Sequence, residues 1–341
     1  SSGRKALVIA SDVAKYAPGS GGEYTQGAGA VAMWLTESPR VLTLDTEFAV
    51  AIENVGDFFK PRRSFPKSQL LQEAAALLGQ TLSDADASAL TAQASEGFWA
   101  TPEDHIEQFL EHPVFDGPYS NDCYVARLSE ALDSYQKQSG HLILRDWDAM
   151  VFHLPYAYQG RRMWAEIAIQ LVDQAERLHE IEASVGQTKE EAGGIKALSK
   201  LWSKTPHYKA YVETYIRPGE IASQQIGNMY TASIFMSLLS TLVDSRNQDL
   251  NIAGRRIGFL SSGSGSKSKV FSGTIQTDFM HGLDGVRPFN HLENRTEIDF
   301  ATYEKLHKRS LTQPLTEAKG ARLVKIETEG NLYGYRRYAI A

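Results

Sequence analysis

A strand-like run that ends in a histidine does most to limit what this chain can fold into: Asp148-Ala149-Met150-Val151-Phe152-His153-Leu154-Pro155-Tyr156. Four apolar residues lead into His153, and Pro155 stops the strand just beyond it. A strand end of this kind holds an imidazole rigidly at the rim of a sheet, where open α/β sheets place their chemistry. Taken alone, the segment fits equally a core histidine satisfied by a backbone partner. The rest of the sequence has to decide between the two.

Other strand-like runs fall on both sides of it. Lys5 to Ser11 reads as a fully buried strand, followed by the Gly-rich turn Pro18-Gly19-Ser20-Gly21-Gly22-Glu23. A second apolar run covers Ala28 to Leu35, and a third strand-like segment covers Val41 to Val55. The opening strand needs sheet neighbours from later in the chain, or from residues outside this sequence. Residues 68–112 carry leucines at helical spacing, and Ser83-Asp84-Ala85-Asp86 restarts a helix. Ser120-Asn121-Asp122 reads as the N-cap and first turn of a helix through Tyr135.

Residues 162–216 are helix-rich and charged, with a break at Gly193-Gly194. Their charges read as a solvated helical face. A helix from about Met229 to Val243 places Ile234, Phe235, Leu238, Leu239 and Leu242 on one side. Arg256 to Ser261 reads as a strand leading into Ser262-Gly263-Ser264-Gly265-Ser266, with another from Val270 to Thr277. Arg322 to Thr328 and Leu332 to Ile340 form a terminal hairpin around Glu329-Gly330-Asn331. Strands alternating with helices define an α/β chain with a mixed sheet.

Composition narrows the function. With 341 residues, 42% hydrophobic, and a net charge of −6, the chain has ample core and no basic stripe for nucleic acid. No run approaches about 18 consecutive apolar residues, so no membrane partner is expected. A single cysteine and no recognisable signal peptide suggest a reducing, cytoplasmic setting. The nine histidines lack metal-ligand spacing, so no metal site is expected. The Gly-Ser run is no P-loop, because Lys267 is not in the required position. It can still present backbone N–H groups to an oxyanion or thioester. Cys123 sits one turn into a helix whose Ala126, Leu128 and Leu132 look core-directed, so it reads as a buried structural thiol.

Several stretches together resemble a family. They are Val8-Ile9-Ala10-Ser11-Asp12 with Ser20 to Met33, Asp116 to Tyr124, Phe152 to Tyr156, Gly227 to Thr231, Gly263 to Ser266, and Asn294-Arg295-Thr296-Glu297. In that order they are similar to bacterial 3-hydroxy-3-methylglutaryl-CoA (HMG-CoA) synthases. The resemblance implies a thiolase-like layered αβαβα fold with mixed sheets. This chain would hold most of the C-terminal half plus the last strands of the N-terminal half. It divides the chain into residues 1–55 (end of the N-terminal half and crossover strand), 56–115 (helical insertion) and 116–341 (C-terminal half).

The same resemblance implies a condensation. A cysteine takes an acetyl group from acetyl-CoA and a glutamate removes a proton from its methyl. The carbanion attacks the β-carbonyl of acetoacetyl-CoA, and hydrolysis releases HMG-CoA. His153 would polarise that carbonyl as acid and then base. Asn228 would hydrogen-bond the acyl carbonyl, Ser264 would contact the acyl or thioester end, and Thr25 and Ser120 would help hold the substrate. No cofactor is implied beyond the two thioester substrates. A homodimer and the mevalonate route of isoprenoid biosynthesis are implied by the family alone.

Three departures from the family pattern matter. Its nucleophilic cysteine and its glutamate lie upstream of the strand that opens this sequence, so the chain alone is expected to be inactive. The expected partner is an N-terminal segment carrying that cysteine, and Cys123 does not replace it. Tyr158 stands where the family commonly has a lysine that contacts CoA or substrate, with Arg161 and Arg162 close enough to compensate. Ser262 stands where tyrosine is usual, and residues 68–112 look longer than in compact bacterial enzymes. Two further readings stay open: a related polyketide β-branching enzyme acting on acyl-carrier-protein substrates, and a non-catalytic subunit that needs a partner chain.

Overall fold

The computed structural model describes residues 3–95, 97–101, 103–171, 175–315 and 320–340. The chain divides after Val286 into two compact units. The larger unit is built on a four-stranded mixed sheet in the order Leu42–Ile52, Lys267–Ile275, Arg256–Gly263, Ala149–Phe152. Along the first three strands each pair is antiparallel; the last pairs in parallel with Arg256–Gly263, with Val151 opposite Phe259 and Phe152 opposite Leu260.

Because successive side chains on a strand point to opposite faces, the sheet has two cores. On one side Met150, Phe152, Leu260 and Val270 pack with Leu128, Leu132 and Tyr135 of the Gly117–Ser139 helix. On the other, Val151, Ile257, Phe259 and Ile275 pack with Ile234 and Leu242 of the Ser233–Asn247 helix. Helix, sheet and helix therefore stack as layers around the histidine-bearing strand. That short strand is buried on both faces, as a parallel strand under two helical layers requires.

Local signals account for the helix ends, with corrections. The Gly117–Ser139 helix is capped by Asp116, whose side chain accepts from the Tyr119 N–H at 3.0 Å, not by Ser120. Pro118 sits in the first turn, where its missing N–H costs nothing. Ser120 thus lies inside the helix with its hydroxyl free for another task. Ser83 does cap a helix, Asp84–Gln93, by accepting from the Asp86 N–H. Residues 68–112 are helical only in part: after Lys67–Leu77 and Asp84–Gln93, His105–Phe109 forms a strand against Arg62–Pro66. The Gly193-Gly194 break holds, both residues having positive φ after the Lys189–Ala192 turn.

The strand predicted near the N-terminus, Ala6–Ala14, finds its neighbour close by, in an antiparallel ladder with Gly27–Leu35. Only Ala10 and Ala14 of that strand are buried, while Leu7, Ile9, Val13 and Trp34 are more than half exposed. The ribbon is pinned at its base. A Cβ on Gly27 would collide with the Ile226 carbonyl, and Gly227, at φ 83, passes equally close to Gln26. Across this crossing the Asn228 N–H donates to the Thr25 carbonyl at 2.9 Å.

The smaller unit contains the helices Pro288–Glu293 and Phe300–His307 and a hairpin of Ala321–Ile326 with Arg336–Ile340. The hairpin is the one expected, but its strands are shorter and a 3₁₀ turn, Gly330–Leu332, occupies the connection. Among the described residues no helix is long and apolar enough to cross a membrane.

The sheet also shows how little slack the layers have. A methyl group on Gly258 would run into the six-membered ring of Trp147, which is itself buried. Gly258→Ala is expected to lower unfolding free energy by about 1–3 kcal/mol, the usual cost of overpacking. Urea midpoints of the two proteins at constant m-value measure it.

Candidate active site

His153 extends the parallel pairing by one residue. Its N–H donates to the Leu260 carbonyl at 2.9 Å, and its own carbonyl accepts from the Tyr124 hydroxyl at 3.1 Å. The next N–H, on Leu154, donates to the Ser233 hydroxyl at 3.1 Å, and the ring Nδ1 lies 2.8 Å from the same oxygen. Backbone and ring are thus held by three separate elements. Burial pushes the imidazole pKa from 6.5 down to about 4, partly opposed by the Tyr230 carbonyl, so the ring is neutral at pH 7. The burial of the strand end thus shifts the imidazole away from the neutral range where a free histidine titrates.

One edge of His153 lines a cavity of about 790 Å³. Thr25, Ser120, Asn228 and Ser264 line it too, so the structure brings all five expected residues to one place from five separate parts of the chain. Their hydrogen bonds differ from the simple expectation. The Thr25 hydroxyl donates to the Gly22 carbonyl at 2.7 Å, and the Ser120 hydroxyl donates to Asp57 at 2.9 Å. Both therefore face a ligand as acceptors or as shape. Asn228, almost fully buried, donates from Nδ2 to the Tyr16 hydroxyl and accepts the Tyr230 N–H on Oδ1. Ser264 is exposed in the tight turn between two strands.

Two residues that the sequence reading passed over help to form this site. Asp57 is 2% exposed; its carboxylate accepts from the Gly265 N–H at 2.9 Å and from Ser120 at 2.9 Å. It fixes the Gly-Ser turn against the Gly117–Ser139 helix. The backbone reinforces this, with Glu53 and Ser266 exchanging hydrogen bonds and Val55 donating to Gly265. Tyr16 is 5% exposed, and its ring meets Phe115 edge-on at 5.9 Å. Its face also crowds Gly22, where a Cβ would strike the ring. A lone acid between Gly56 and the aromatic pair Phe58-Phe59 was the available signal for Asp57.

Other candidates are settled by their surroundings. Cys123 is buried, and desolvation pushes its thiol pKa up, against a smaller opposing effect of the Tyr119 hydroxyl. A protonated thiol is a poor nucleophile, which agrees with the structural reading. Arg161 does not stand in for a lysine at Tyr158. It makes a two-pronged pair with the buried Glu220 and lies 4.8 Å from the Tyr158 ring centre. Arg162 donates to the Tyr156 hydroxyl at 2.8 Å. Among the described residues, no group of three His, Cys, Asp or Glu side chains could hold a metal ion.

The lowered His153 pKa has a consequence for stability. Between pH 6.5 and about 4 the unfolded chain takes a proton on this residue that the folded chain refuses. Stability is unaffected by this group above 6.5 and falls as pH drops through that window, by roughly 3 kcal/mol at most. His153→Gln is expected to remove that part of the acid sensitivity. Denaturation curves at pH 7 and pH 4.5 measure it: an unchanged pH difference would contradict the neutral, buried ring.

Comparison with known proteins places this chain in a family. Residues 107–320 match the model described as hydroxymethylglutaryl-coenzyme A synthase C terminal. Hydroxymethylglutaryl-CoA synthase of Enterococcus faecalis is 28% identical over 309 residues, covering 90% of this chain and 59% of that protein. The chain therefore spans about three-fifths of that relative's length. The fold is similar to that of MvaS in complex with 3-hydroxy-3-methylglutaryl coenzyme A (TM-score 0.67, 23% identity, 99% of this chain and 67% of that one). It is also similar to the curacin biosynthetic pathway HMG synthase in complex with holo donor-ACP (TM-score 0.61, 19% identity, 99% and 67%). The layered α/β architecture is thus the thiolase-like one of these synthases, and the chain belongs to the hydroxymethylglutaryl-CoA synthase family.

Proposed function

We propose that this chain forms the histidine-bearing, substrate-binding part of a site that condenses an acetyl group with acetoacetyl-CoA to give HMG-CoA. The observation that supports it is the convergence of Thr25, Ser120, His153, Asn228 and Ser264 on one cavity. In this reading the acceptor β-carbonyl lies against His153. A neutral imidazole suits that carbonyl: it donates a hydrogen bond as negative charge develops on oxygen, without first losing a proton to water. The second Nδ2 hydrogen of Asn228 is directed to the acyl carbonyl. Ser264 and the neighbouring backbone of the turn meet the thioester end. Thr25 and Ser120, their protons already committed, shape the wall.

The nucleophilic cysteine and the carbanion-forming glutamate come from an N-terminal portion of the enzyme. Its seat is the open apolar surface of this chain. Phe48, Val50 and Ile52 of the sheet-edge strand stand exposed on the face opposite buried Ala49 and Ala51, and the Ala6–Ala14 ribbon adds Leu7, Ile9 and Val13. Apolar side chains in such numbers on a water-facing sheet mark a surface that another element covers. A cytoplasmic homodimer whose product enters the mevalonate route is the wider form of this reading, and it rests on family resemblance.

A second reading has a specific observation in its favour. Tyr158 carries no charge where the family commonly has a lysine, and Arg161 next to it is paired with Glu220, so neither offers a free cation to the phosphates of CoA. An acyl-carrier-protein acceptor, whose pantetheine arm carries a single phosphodiester, has less need of such a cation. The curacin pathway synthase, solved with a donor carrier protein, shares the fold.

Mixed with acetyl-CoA, the chain alone is expected to gain no acetyl mass; a stable adduct on Cys123 would overturn its assignment. Combined with an N-terminal portion carrying the cysteine, it is expected to recover condensation. His153→Ala should then leave acetylation intact and lower condensation by about 10²-fold or more. Loss of acetylation as well would refute the assigned role. Turnover of acetoacetyl-carrier protein with neglect of acetoacetyl-CoA would select the second reading.

A further inference from the structure

The proposed condensation needs more than a histidine at the cavity edge. A neutral imidazole has two tautomers, and only one presents an N–H to a carbonyl oxygen. The other presents a lone pair, which repels it. Something has to choose between them.

Ser233 is the first residue of the Ser233–Asn247 helix and is fully buried. Its hydroxyl oxygen accepts the Leu154 N–H at 3.1 Å and lies 2.8 Å from His153 Nδ1. Among the described residues, these are the two hydrogen bonds of that hydroxyl. With the oxygen already accepting a backbone proton that cannot move, its own proton has one acceptor in reach, the Nδ1 lone pair. Placing that proton on Nδ1 satisfies all three groups. The reverse arrangement, Nδ1–H donating to Ser233, leaves a buried hydroxyl proton without an acceptor and so is disfavoured.

From this geometry we infer that Ser233 is a positioning residue that holds His153 in the Nε2–H tautomer, so that the ring meets the acceptor carbonyl as a hydrogen-bond donor. The same contact fixes the ring's rotation, because Leu154 is the next residue in the strand and binds the same oxygen. The N-terminal end of the helix disfavours a second proton on the imidazole, in keeping with its lowered pKa. The inference rests on the reading of His153 as the hydrogen-bond donor to the acceptor carbonyl for its significance, but its structural content stands apart from activity.

Long-range ¹H–¹⁵N correlation spectra of the full chain labelled on histidine, at neutral pH, test it directly. His153, assigned by its absence from the His153→Gln spectrum, is expected to show a protonated Nε2 and an unprotonated Nδ1. In Ser233→Ala the two ¹⁵N resonances are expected to move toward each other as the tautomers mix. Ser233→Thr, which keeps the hydroxyl, is expected to hold the wild-type pattern. In the synthase completed with its N-terminal portion, Ser233→Ala is expected to lower kcat by about 10²-fold or more with KM little changed, and threonine to restore it. A wild-type ring protonated on Nδ1, or a Ser233→Ala spectrum identical to wild type, would overturn the inference. A His153→Ala synthase that still condenses at full rate would instead overturn the functional reading, leaving the tautomer assignment in place.

Discussion

Asp57 is a carboxylate almost wholly removed from water, and the site depends on where it reaches. One oxygen takes the Gly265 N–H, the other the Ser120 hydroxyl, so a turn between two strands is tied to a helix on the other side of the cavity mouth. Leaving a charge so deep is costly unless donors meet it, and each partner here is held by its own element. The turn is further locked to the Glu53–Val55 segment through backbone hydrogen bonds. Removal of the carboxylate would leave both donors without this acceptor and let the turn carrying Ser264 part from Ser120.

The histidine obeys a different constraint. It inherits its position from the parallel pairing of a short strand with Arg256–Gly263, through a single backbone hydrogen bond beyond the last paired residue. Everything that immobilises the ring therefore arrives from outside that strand: Tyr124 from one helical layer, Ser233 from the other. The two layers close on the strand end like jaws, and the burial that keeps the strand in place also keeps the imidazole uncharged.

Much of this was legible in the sequence, for identifiable reasons. The alternation of apolar strands and helices follows from periodicity, and the Asp148–Tyr156 run announced both the strand and its stop. Thr25, Ser120, Asn228 and Ser264 were recognisable only through resemblance, since each lies in a short polar stretch, at a turn or at the start of a helix, that spacing alone cannot rank. Ser120 was misread as a cap because Ser-Asn-Asp is a good local cap; the Asp116-Gly117-Pro118 start, one turn earlier, won by placing proline in the first turn. Asp57 and Tyr16 escaped because their partners are remote in sequence, at Gly265 and Asn228, and no period links them. The pairing of Arg161 with Glu220 spans 59 residues and was invisible for the same reason.

That last pair shapes how the flank beside Tyr156 meets charged molecules. Glu220 is 1% exposed and holds the guanidinium of Arg161 in a fork, with the Tyr158 ring against the cation. A cation so compensated attracts little counter-ion atmosphere and gives little back to an approaching anion. On this flank an approaching molecule therefore meets shape and the aromatic faces of Tyr156 and Tyr158 rather than a free cation, and the positive charge that faces the cavity comes from Lys267 and Lys269.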